Sequence, residues 1–187
     1  MSGRTKTTKE FRLTFTMEEA GWARARLQTP KGDRDFTISY LCDPLADLLD
    51  CVNELHRSYD AAGLLADGSS YDLEWKGEPW HDDLTFTPQE GRTVGLRVQS
   101  FVGNGFDGPD QKTQPDLRCT VSLDALMRQV FDQAEAILKG YGFLGYRRNW
   151  ISTDFPIGNF LTLRDNLGLA PGEPSLAAEV RYLAGLL

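Results

Sequence analysis

Phe11, Leu13, Phe15 and Met17 alternate with Arg12, Thr14 and Thr16 near the start of the chain, and this period of two predicts a half-buried strand over 11–17. A second strand follows over 22–28, where Ala23, Ala25 and Leu27 oppose Trp22, Arg24 and Arg26. Phe36, Ile38 and Tyr40 mark a third over 36–41. The turn signals Met17 to Gly21 and Pro30-Lys31-Gly32-Asp33 join the three into a meander.

The period then lengthens. Leu45, Leu48, Leu49, Val52, Leu55 and Tyr59 recur at helical spacing, with Asp47, Asp50, Asn53, Glu54 and Arg57 opposite, which predicts a helix over 44–60. It opens at Asp43-Pro44, an aspartate to cap the free amides and a proline that needs no amide hydrogen in the first turn. Strands return over 71–76, 84–87, 93–101 and 117–121. Ser122 then caps a long stripe, Leu123, Leu126, Met127, Val130, Phe131, Ala134, Ile137, Leu138 and Tyr141, that predicts a helix over 123–140 ending at Gly140 or Gly142. The segment from Phe155 to Leu163 reads as a short helix. Ser175 to Leu187 carries helical spacing through Leu176, Val180, Leu183 and Leu187. The expected fold is α+β in βββαββββα order: one antiparallel sheet of about seven strands, two amphipathic helices on one face, and an irregular C-terminal tail. Residues 11–163 read as a single domain, 1–10 as a disordered N-terminus, and 164–187 as a linker with a final helix.

Composition narrows the class. At 187 residues, with 41% hydrophobic and 25% charged residues, the chain suits one globular domain. No apolar run approaches the roughly 20 residues of a membrane-spanning helix. Met1 to Glu10 is polar and basic and lacks the apolar stretch of a signal peptide, so a cytoplasmic location is expected. Cys42, Cys51 and Cys119, an odd set without a paired spacing, read as reduced thiols. The net charge of −7 disfavours general nucleic-acid binding and anionic membranes, and favours a basic partner.

Candidate chemistry is thin. Gly103-Asn104-Gly105-Phe106-Asp107-Gly108 spells a dinucleotide motif, but the Pro-rich run to Pro115 leaves no helix to face a pyrophosphate. Asn104, Asp107 and Asp110 have the wrong spacing for a calcium loop. Glu78, His81, Asp82 and Asp83 contain metal-ligand types, yet one histidine among carboxylates at a hairpin tip reads as a solvated turn, so neither a metal nor a cofactor is expected. Cys51 and His56 point different ways on one helix and make no catalytic pair. Trp75 and Trp80, bracketing Lys76-Gly77-Glu78-Pro79, are the unusual feature. An indole beside polar turn residues either folds back over the sheet edge to cap the core or serves as an interface anchor, and on the second reading Trp75, Glu78, Trp80, His81, Asp82 and Asp83 form the candidate binding site. Tyr146-Arg147-Arg148-Asn149-Trp150 is a lesser candidate of the same kind.

Ile38 to Leu49 (ISYLCDPLADLL), Trp75 to Pro79 (WKGEP) and Gly145, Tyr146 and Trp150 resemble a group of small, largely uncharacterised bacterial α+β proteins. These carry D-P-L-x-D-L-L, W-x-x-E-P and G-Y-x-x-x-W motifs. The resemblance spans residues 36–160. It departs after the E-P turn, where Leu84 and Phe86 stand in a strand that a tryptophan opens in the group. The group implies no activity, and small acidic proteins of this kind include immunity proteins and toxin partners. The expected function is a non-enzymatic module that binds a basic protein such as a toxin. A small carboxylate-based hydrolase or transferase and a self-associating homo-oligomer are the alternatives.

Overall fold

A computed structural model describes residues 11–59, 63, 65–66, 69–103, 110–151, 153–169 and 175–186. The predicted N-terminal disorder, most of the Gly103–Gly108 motif and the Pro171–Pro174 linker lie outside them.

The alternating segments become strands in the expected places, except that the third runs over Gly32–Ser39 instead of 36–41 and leaves Tyr40 exposed in the turn that follows. β1 (Arg12–Met17), β2 (Trp22–Thr29) and β3 (Gly32–Ser39) form an antiparallel meander, with Leu13 opposite Leu27 and Ala25 opposite Phe36. α1 (Pro44–Arg57) begins as its cap residues require: the Asp43 carboxylate accepts from the Ala46 amide at 3.2 Å. A second antiparallel sheet follows, built from β4 (Tyr71–Lys76), β5 (Trp80–Gln89), β6 (Thr93–Val102), the short β7 (Gln111–Lys112) and β8 (Leu117–Ser122). β6 lies between β5 and the pair β7 and β8. α2 (Leu123–Trp150), α3 (Ile157–Asn166) and α4 (Leu176–Ala184) complete the chain.

The fold class is therefore α+β with antiparallel sheets, but the strands divide into sheets of three and five instead of one sheet of about seven. β3 and β4 are neighbours that do not pair. The Lys76 amide, which would reach for another strand, donates to Cys42 Sγ at 3.4 Å, and Gly77 sits against the Thr37 carbonyl. Both sheets and both long helices feed one core. Leu13, Leu27 and Phe36 meet Trp75, Leu84, Phe86 and Leu96 along a seam that Leu48 of α1 and Leu126 of α2 close. α4 is not an idle tail, since Tyr182 donates to Glu135 of α2 at 2.9 Å and its ring lies 3.7 Å beneath the Arg164 guanidinium of α3.

Two further departures matter for the surface. β5 starts at Trp80, four residues before the expected strand, because Asp82 occupies a core-facing position that looked too polar for a strand. α2 runs on past Gly140 through a break at Gly142. That extension buries Tyr146 and Trp150, which removes the 146–150 run as an aromatic surface; Arg147 pairs with Asp154 at 2.7 Å.

Candidate functional site

The β4–β5 hairpin sorts the candidate residues by the alternation of a strand. Trp75 and Asp82 pair across it and both face inward. Trp75 is 1% exposed, with its ring edge-on to Phe36 at 5.0 Å, so it is core and presents nothing to a partner. Asp82 is buried and accepts from the Ser100 hydroxyl; burial pushes its carboxyl pKa up, and that hydrogen bond together with the nearby His81 and Arg34 opposes the shift.

Trp80 has the same parity as Asp82 and Leu84, yet it stands at the end of the sheet, beyond the core, and is 54% exposed. Its backbone is held firmly nonetheless. The Gly77 amide donates to the Trp80 carbonyl at 2.7 Å, Val102 pairs with it on the other side, and the Gly103 amide ties the neighbouring Pro79 carbonyl at 2.8 Å. Glu78 and Pro79 are exposed in the turn. Gly77 is required there, because a Cβ at that position would lie 2.1 Å from the Thr37 carbonyl oxygen.

The outward parity carries Glu74 and Lys76 of β4 and His81 and Asp83 of β5. Glu74 pairs directly with Asp83, and Lys76 with His81. The His81 ring stacks on Phe101 at 5.0 Å with 14° between planes, and its Nε2 lies 3.6 Å from an Asp110 carboxylate oxygen. One ligand atom from each of Glu74, His81 and Asp83 lies within 4.8 Å of the others. Burial raises the Asp83 pKa, and Glu74, Asp72 and Asp110 raise it further against the opposing effect of His81. His81 and Asp83, expected in a solvated hairpin tip, lie instead within β5, and Glu74 was not singled out because its partner depends on hairpin register.

An acidic groove of about 580 Å³ runs between α1 and β4, lined by Asp47, Asp50, Glu54, Asp72, Glu74 and Lys76 together with Cys42 and Cys51. Asp47 is pushed up to about 6 by burial and by the adjacent charges of Asp43 and Asp50. Burial also raises both thiols, Cys42 and Cys51, so neither is a ready thiolate nucleophile. His56 is turned away to Arg92, at 3.4 Å, and its pKa is lowered by burial first and that cation second. The helical acidic face was legible in sequence; the strand that completes the groove was not.

Among the described residues the three cysteines are free, and no helix is long and apolar enough to cross a membrane. No protein-family model, curated protein or solved structure matches the chain.

Proposed function

We propose that this chain is a non-enzymatic protein-binding module whose anchor, Trp80, engages a basic partner protein. The observation that carries the reading is a half-exposed indole fixed at the end of a paired strand. Covering that ring removes a large apolar surface from water, worth a few kcal/mol by area. The strand pairing and Pro79 limit the backbone freedom lost when a partner closes over it. Glu78 and Asp83 supply a negative rim, with the acidic groove and the net charge of −7 adding to the field that draws in a cation-rich surface. Asp82 faces inward and contributes to the structure instead. A toxin domain neutralised by an immunity-type protein is one partner of this chemistry.

The α1–β4 groove favours a second reading, a carboxylate-based hydrolase or transferase, because Asp47 near 6 is suited to proton transfer. Against it, the groove has no activated thiol, and its carboxylates stand along an open trench.

Photo-crosslinking from a benzoylphenylalanine placed at position 80, in lysate of the source cells, separates the readings. The binding reading expects one basic protein as the dominant adduct, absent when the probe sits at Glu90, in the turn at the opposite end of β5. A ladder of this chain with itself would support self-association instead. No specific adduct would overturn the anchor.

A further inference from the structure

We infer that Glu74, His81 and Asp83 form a binding site for a first-row divalent cation of the zinc class on the outer face of the five-stranded sheet. In sequence, the neighbours His81, Asp82 and Asp83 read as a solvated turn, but they stand in a strand, where Asp82 turns inward. The strand leaves His81 and Asp83 on one face, and β4 places Glu74 directly opposite Asp83. The third donor thus comes from across the hairpin.

Two observations point to a cation. Like charges at a directly paired position repel, and Glu74 faces Asp83 with only Lys76, 3.2 Å from Glu74, as a neutralising side chain on β4. The His81 imidazole beside them is held in plane by Phe101, so a nitrogen donor is oriented before any ion arrives. The ligand atoms lie within 4.8 Å of one another. A tetrahedral ion with bonds of about 2.0–2.1 Å wants them about 3.4 Å apart, a closure that side-chain rotation supplies once Lys76 releases Glu74. One imidazole with two carboxylates suits zinc, manganese or nickel, whereas calcium asks for about six to eight oxygens.

Isothermal titration of the full chain with ZnCl2, MnCl2 and CaCl2 tests the site. One zinc or manganese ion per chain is expected, with calcium at least about tenfold weaker. His81→Ala and Glu74→Gln should each weaken zinc by about tenfold or more, and Glu78→Gln, in the neighbouring turn, should leave it unchanged. Circular dichroism checks that each variant is folded. Wild-type protein gives an independent readout, since Mn²⁺ should broaden the amide signals of Glu74, His81 and Asp83 before those of Asp47, Asp50 and Glu54 on α1. Absence of both heat and selective broadening overturns the proposal. So does zinc binding that survives His81→Ala, which would assign the ion to the thiols and carboxylates of the α1–β4 groove.

Discussion

Trp75 and Trp80 bracket the same turn, yet one is 1% and the other 54% exposed. The sequence flagged both, because composition around a turn does not say which ring the second sheet will cover. Of the four tryptophans, Trp75 and Trp150 are buried and Trp22 half-buried. Trp80→Ala should therefore remove most of the acrylamide-quenchable fluorescence and leave the melting temperature within about 2 °C of wild type. A fall of many degrees would mean that Trp80 is structural. The motif residues read as fold signals: the Tyr146 hydroxyl donates to Asp43 at 3.3 Å, joining the D-P-L and G-Y-x-x-x-W segments, while Gly77 of W-x-x-E-P allows β3 to approach. Asp47 gives a pH signature. Its pKa rises from 3.8 in an unstructured chain to about 6 in the fold, so the folded state holds this proton more tightly. Its effect on stability is most favourable below about 4, declines as pH rises, and is fully lost above about 6. Asp47→Asn should raise the melting temperature relative to wild type by up to a few degrees at pH 7.5 and by less at pH 4.5. The reverse order in thermal melts would show that the groove does not strain this carboxylate.

At the scale of elements, alternation located every long strand and helical spacing located α1 and the first part of α2, because each buries a single face. What the pattern hid were elements that break their own rule. β5 lost its first four residues to Asp82, an inward carboxylate stabilised by Ser100 from the next strand. The break between the sheets is tertiary, settled by the Cys42 thiol and the Thr37 carbonyl, and leaves no mark on local periodicity. In α2, Gly140 and Gly142 look equivalent in sequence but differ in the fold. Gly142 has φ +61° and ψ −177°, a region open essentially to glycine, while a Cβ at Gly140 meets nothing within 4 Å. Gly142→Ala should cost about 1–3 kcal/mol, and Gly140→Ala should stabilise by about 0.5–1 kcal/mol. Chemical denaturation distinguishes them, and equal effects would place the break elsewhere.

For the molecule as a whole, the carboxylates of the α1–β4 groove, the outward Glu74 and Asp83, and the Trp80 ring all belong to structure around the β4–β5 hairpin. Charge of one sign is costly to gather in this way, and a basic partner relieves it, with a salt dependence that a purely apolar contact lacks. The acidic helix face, the tryptophans and the polar residues Glu78 and His81 to Asp83 were legible beforehand; their meeting at one hairpin required the register of β4 against β5. The most direct test is titration calorimetry of the crosslinked basic partner against wild type and Trp80→Ala, with melting temperatures measured on the same samples. A Trp80 anchor predicts affinity reduced by more than about tenfold, roughly 1.4 kcal/mol or more, with thermal stability essentially unchanged. Unchanged affinity in a folded Trp80→Ala protein would contradict it.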